Sequence, residues 1–180
     1  MKWRRIVVGI AASCALDARA TPVDPTSNQW RLESKEEPSS AKLTLTLPAQ
    51  QKVKGWLTTG RPILTIQCRG GSLAVYVETG VALEVTQVDQ QIVRVRFDDS
   101  EFRSERWREV GNWTVSSRHP DRLLGQLLQA RRFVLEFAPF SSEPVQADFA
   151  VQGLTEYAGL LARSCGGELP EKKGPEQANH

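Results

Sequence analysis

The feature that most restricts the fold of this chain is a strict two-residue alternation of apolar and polar side chains, repeated in run after run. In KLTLTLPA, Leu43, Leu45 and Leu47 fall on one side and Thr44 and Thr46 on the other. In PILTIQCR, Leu64, Ile66 and Cys68 share a side, and in SLAVYVET, Leu73, Val75 and Val77 do. In QIVRVRFDD, Val93, Val95 and Phe97 oppose Arg94, Arg96 and Asp98. Successive side chains of a strand point to opposite faces, so each run makes a strand with one face buried; a helix would scatter the same residues around its axis. RFVLEFAPF and PVQADFAVQG continue the series, and the latter sets Val145, Ala147, Phe149 and Val151 against Gln146, Asp148 and Gln152. Around Trp107 and Trp113 the alternation is broken, and short strands are expected. Gly70-Gly71-Ser72 reads as a hairpin turn.

Two stretches switch to helical spacing. In HPDRLLGQLLQARR, Leu123, Leu124, Leu127 and Leu128 form one stripe, with Pro120 at the first helical position and Asp121 in the first turn. In LTEYAGLLARSCGG, Leu154, Tyr157, Leu161 and Cys165 share a face, and Gly166 and Gly167 supply the C-terminal cap. Residues 21–41 are polar and rich in Pro and Ser. They read as an extended arm anchored by Trp30, with a loop at residues 35–40. Residues 42–167 read as one β-rich domain and residues 168–180 as a disordered tail. The expected fold is mainly β: an antiparallel sandwich-like single domain with one short inserted helix and one C-terminal helix, antiparallel because the connections are short.

The first twenty residues obey a different rule. MKWRR is basic, residues 6–16 are apolar without a charge, and Ala18-Arg19-Ala20 closes the segment. That order is a secretory signal peptide, with cleavage after Ala20. The run falls short of the about 20 apolar residues that span a bilayer, and no other segment approaches that length. A lipid anchor at Cys14 is the alternative processing route, although Ala11 stands where a Leu is usual. The chain has 23 Lys and Arg against 21 Asp and Glu. Cleavage removes Lys2, Arg4, Arg5 and Arg19 but only Asp17, so the exported chain holds one more acid than base. Charge therefore gives no reason to expect a nucleic-acid partner. The expected location is the periplasm.

Export gives meaning to the cysteines. Cleavage leaves Cys68 and Cys165, each on the apolar face of its element, and two such thiols in an oxidising compartment pair. Closing a loop of about 100 residues stabilises by roughly 4–5 kcal/mol in the chain-entropy account. Two separate buried thiols are the plain alternative. A nucleophilic role needs a base, and of the two histidines His180 lies in the tail and His119 precedes Pro120 at a helix start. Two cysteines and one histidine lack the paired spacing of a zinc site. No metal or cofactor is expected.

Asp98-Asp99 is the most tempting acidic pair. Adjacent strand residues point apart, whereas glycosidase carboxylates face each other across a bond. With Glu101 and Glu105 the pair still lacks a set of nucleophile, base and orienting residue, so catalysis is not expected. Arg94, Arg96 and Asp98 form a row on one solvent face. Cross-strand ion pairing is the plain account; a docking surface built from Arg94, Arg96, Asp98, Asp99 and Trp107 is the functional one, since Arg and Trp are favoured at interfaces.

The order of these pieces resembles the VasI/TagO family of envelope proteins associated with type VI secretion. A Trp near the start is followed by LTIQCR, a strand bearing Tyr76, VRVRFDD with Trp107 soon after, a Leu-rich helix, FVLEFAPF, and finally ADFAVQGL with LLARSC. The resemblance runs from Trp30 to Gly166. It implies an exported accessory protein that acts by binding an envelope or secretion-apparatus protein, with Cys68 and Cys165 at the family's two cysteine positions and no catalytic residue. The chain departs from the pattern around Trp113 and runs on beyond Cys165. An envelope domain that binds a ligand or polymer, unrelated to secretion, is the alternative.

Overall fold

The computed structural model describes residues 30–37, 40–84 and 89–166, with the side chains of residues 35–37, 40 and 41 left aside. The signal segment with Ala20, Cys14 and the tail at 168–180 lie outside the described residues.

Among the described residues eleven strands form in chain order: β1 Arg31–Glu37, β2 Ser40–Pro48, β3 Val53–Lys54, β4 Thr59–Gly60, β5 Ile63–Arg69, β6 Ser72–Glu78, β7 Gln90–Phe97, β8 Arg103–Glu109, β9 Thr114–Ser116, β10 Arg132–Phe137 and β11 Val145–Ala150. Helix α1 spans Pro120–Gln129 and α2 spans Ala158–Cys165, the latter preceded by a 3-10 turn at Leu154–Tyr157. Nine strands make one sheet in the order β1-β2-β5-β6-β9-β8-β7-β10-β11, and β3 pairs with β4. Every strand pair is antiparallel. The fold is thus the mainly β, antiparallel domain with one inserted and one C-terminal helix that the alternation predicts.

The large sheet folds over on itself until its ends meet. Just beyond β2, the Gln50 N–H donates to the Asp148 carbonyl of β11 at 2.7 Å. Gln51 reaches the Gln146 carbonyl at 3.1 Å, and the Trp30 indole donates to the Val151 carbonyl at 3.4 Å. The alternating apolar residues point into the space enclosed. Leu45, Leu64, Ile66, Val77, Val93, Phe133, Leu135 and Phe149 are fully buried. Register keeps them there, because a slip of one residue would turn a whole strand's apolar set to water. Leu123, Leu124 and Leu127 of α1 and Leu161 of α2 complete the core. At the β5–β6 turn, Gly70 and Gly71 both have positive φ, 54° and 78°. That backbone suits the right-handed twist of a two-residue hairpin and favours glycine.

One expectation is corrected here. Of the stretch read as an extended arm, residues 21–29 lie outside the described residues, and the loop expected at 35–40 is instead where β1 ends and β2 begins, paired from Arg31↔Thr46 to Glu37↔Ser40. RLESKEE lacks alternation because β1 is the sheet's edge. It is held by its backbone ladder and by buried Trp30, while Leu32 remains 44% exposed. The C-terminal segment also tightens to a 3-10 turn before α2 begins, and α2 ends at Gly166 in the left-handed region, φ 68°.

Candidate functional site: two surface clefts

Cys68 is the last buried residue of β5, one before its end, and Cys165 ends α2; the two are joined in a disulfide with their Cα atoms 5.1 Å apart. The bridge fastens the last helix beside the β5–β6 turn, where Gly71 approaches the Cys165 carbonyl. A disulfide of this kind fits an oxidising compartment. Among the described residues no helix is long and apolar enough to cross a membrane, and no cluster of His, Cys, Asp and Glu could hold a metal ion.

The residues expected to form a docking surface separate into three roles. Arg94 and Arg96 stand together on the outer face of β7, their guanidinium carbons 4.8 and 4.5 Å from the centre of the Phe102 ring. Arg94 also pairs with Glu136 of β10 at 2.8 Å, directly across the ladder, so cross-strand pairing accounts for part of this row. Asp98 does something else. It sits at φ 49° and its carboxylate accepts the N–H groups of Arg131 and Arg132, both at 2.9 Å. It fixes the entry to β10, and exposed Asp99 follows it. Trp107 corrects the expectation outright. It is fully buried, because it opposes buried Gln91 on the inner face, and it cannot form part of a surface.

Trp107 instead organises Glu105. Its indole N–H donates to Glu105 Oε2 at 2.9 Å, while Oε1 accepts from Arg103 at 2.7 Å and from Arg122 of α1 at 3.2 Å. Burial raises the carboxyl's pKa, but the hydrogen bonds from Trp107 and Arg103 and the charges of Arg103 and Arg122 outweigh it, so the pKa lies below its ordinary value. Glu105 is a structural carboxylate bridging β8 to α1. Beside it opens a cleft of about 510 Å³ lined by Ile92, Ser104, Arg106, Arg118, His119 and Arg122. Arg106 follows from the same strand logic as Arg94; that Arg118 and Arg122 join it is a tertiary fact, since α1 brings them there.

The second cleft is of the opposite kind. Trp56 and Leu57 from the β3–β4 turn, Ala82 from the β6–β7 connection, Trp113 from before β9 and Phe140 from after β10 enclose about 300 Å³. Trp56, Leu57, Trp113 and Phe140 remain 62%, 78%, 46% and 41% exposed. Trp56 meets Phe140 edge to face, ring centres 5.9 Å apart. Backbone hydrogen bonds tie the loops together: Gly55 N–H to the Thr58 carbonyl, Thr79 N–H to that of Trp113, Leu83 N–H to that of Asn112, and Phe140 N–H to that of Ala82. The large apolar side chains are therefore held out on a fixed frame. Sequence reading missed this site because its residues come from four loops. The available signal was Trp56-Leu57 between Gly55 and two threonines, outside any alternating run.

The fold and these clefts define a disulfide-bonded antiparallel β-domain with a basic groove and an apolar one. No family model matches the chain, and neither a curated protein nor a solved structure matches it.

Proposed function

We propose that this chain is an exported domain that acts by binding another envelope protein, and that it serves as an accessory to type VI secretion. The secretion role rests on the resemblance to the VasI/TagO family carried by the ordered residues from Trp30 to Gly166. The binding role rests on one observation: Trp56, Leu57, Trp113 and Phe140 are held exposed around a single apolar cleft. Large contiguous apolar surface mark sites of association, and aromatic side chains are enriched at them. The cleft has room for one or two apolar side chains, and the occupant proposed is such an anchor on a partner protein. Exposed Trp56 and Trp113 also favour a second reading, stacking on the sugar rings of an envelope polymer. Among the described residues Thr58 is the one hydroxyl in the lining, whereas a saccharide needs several placed polar groups, so the protein partner is preferred.

The test compares a deletion strain complemented with the wild-type gene or with Trp56→Ala/Phe140→Ala. Release of the type VI tube protein and proteins crosslinked to the domain in envelopes are both measured. Release restored by the wild type but not by the variant, with secretion components lost from the crosslinks, supports the reading. Unchanged release on deletion removes the secretion role. Retention of the isolated domain on peptidoglycan, abolished by the same variant, would put the polymer reading in its place.

A further inference from the structure

The basic cleft coincides with a gap in the sheet. β8 runs from Arg103 to Glu109, but its ladder with β9 pairs only Arg108↔Ser116 and Glu109↔Val115. On that side, residues 103–107 have no strand beside them among the described residues. The direction of their backbone groups follows from two hydrogen bonds. The Glu109 N–H donates to the Asp89 carbonyl on the β7 side, and the Val110 N–H donates to the Thr114 carbonyl on the β9 side. Backbone groups of an antiparallel strand alternate between its neighbours. Trp107, Glu105 and Arg103 therefore bond toward β7, and Ser104 and Arg106 turn their N–H and C=O groups into the gap. The β8–β9 register, continued, would set Arg118 opposite Arg106 and Pro120 opposite Ser104. The chain cannot continue it, because Ser117 bonds to β6 through Val75 and Pro120 opens α1.

Charge identifies what fits there. The gap is bordered by Arg106, Arg118, His119 and Arg122, and among the described residues Glu105 is the one acid in its lining. That carboxylate is already taken by Arg103, Arg122 and Trp107. Arg106 and Arg118 make no ion pair with a described residue. An unpaired strand edge is a template for another strand, and its basic border selects an acidic one. We propose that an extended, carboxylate-bearing segment of a partner protein adds to β8 here, pairing with the backbone of Ser104 and Arg106 and setting acidic side chains against Arg106, Arg118 and Arg122. Backbone pairing supplies affinity and alternate side chains supply selectivity, as in other strand additions. The chain's own acidic C-terminal run is a poor candidate, since it carries Lys172, Lys173, Pro170 and Pro175. This site is separate from the apolar cleft and stands without it.

The test uses the full exported chain and a blocked peptide alternating Glu with Val, with a control peptide in which each Glu is Lys. In the free protein, amide hydrogen exchange should be fast at Ser104 and Arg106 and slow at Glu105 and Trp107. The acidic peptide should slow exchange at Ser104 and Arg106, and the Lys peptide should not. Ser104→Pro removes one free N–H and blocks the edge without touching the β7 ladder, a position where a strand tolerates proline. It should weaken the acidic peptide by about tenfold or more, and Arg106→Glu/Arg118→Glu should abolish binding. Slow exchange at Ser104 and Arg106 in the free protein overturns the proposal, because the edge is then already occupied. So does equal peptide binding by wild type and Ser104→Pro, or displacement of the peptide by citrate with no effect of Ser104→Pro, since the cleft then holds anions without adding a strand.

Discussion

Replacing Cys165 with Ser should lower the melting temperature of the oxidised protein by roughly 15 °C. The bridge spans a sequence separation of 97 residues, for which unfolded-chain entropy gives a stabilisation of about 4.7 kcal/mol. In a domain of this size each kcal/mol moves the midpoint by roughly 3–4 °C. The folded state itself changes little. Cys68 is fully buried, its sulfur lies 3.9 Å from the Leu161 carbonyl, and the thiol left by the substitution can donate to that oxygen. The loss is therefore placed in the unfolded state, and this yields a stricter expectation. Wild type treated with a reductant and Cys165→Ser should melt together, whereas Cys68→Ser should be less stable by about a further 1–2 kcal/mol and so melt lower, because it buries a hydroxyl in the core. Calorimetry on the four samples, with alkylation and intact mass to count thiols, measures all of this. A drop of less than about 5 °C between the oxidised wild type and Cys165→Ser would refute the loop-entropy reasoning. Two free thiols in the protein isolated without reductant would refute the bridge.

Three further perturbations test the frame around the clefts. At Gly60 an added Cβ would lie 1.9 Å from the Gly80 carbonyl oxygen, backbone against backbone, so Gly60→Ala should cost at least about 3 kcal/mol in a urea titration; a loss within 1 kcal/mol or so would show that the two loops part easily. Asp98→Ala removes the acceptor for the Arg131 and Arg132 N–H groups and places a Cβ-bearing residue without a helpful side chain at φ 49°. It should destabilise by about 2–3 kcal/mol, and Asp98→Asn by less. The third concerns acid. Because the folded pKa of Glu105 is depressed, its contribution is fully present above the unfolded carboxyl value near 4.3 and is lost as pH falls through the folded value. Stability of Glu105→Gln relative to wild type should therefore be lowest at neutral pH and recover below about pH 4. A difference that stays constant with pH would show that Glu105 has no special attachment to Arg103, Arg122 and Trp107.

The parts of this fold that were legible in the sequence are those in which a side chain's position follows from its own strand. Leu43, Leu45 and Leu47, or Val93 and Val95, declare their burial by parity alone, and Pro120 with the leucines after it declares α1. β1 was not legible because an edge strand has little burial to encode. Trp107 and Trp113 show where the signal ends. They share parity with each other and with buried Val115, yet Trp107 is fully enclosed and Trp113 is 46% exposed. Between them Gly111, at φ 66°, reverses the chain, so Trp113 reaches the rim just as β9 begins. Parity fixes the face of a strand but not how far along the sandwich a residue lies. The β5–β6 hairpin supplies that missing coordinate. Its Gly70-Gly71 turn lies by the disulfide, whereas its other end leads into Thr79, bonded to Trp113 at the apolar cleft. A seven-residue strand separates staple and cleft by roughly 20 Å. Residues far apart in sequence meet at each end, and one strand's pattern carries no record of which partners its ends will have.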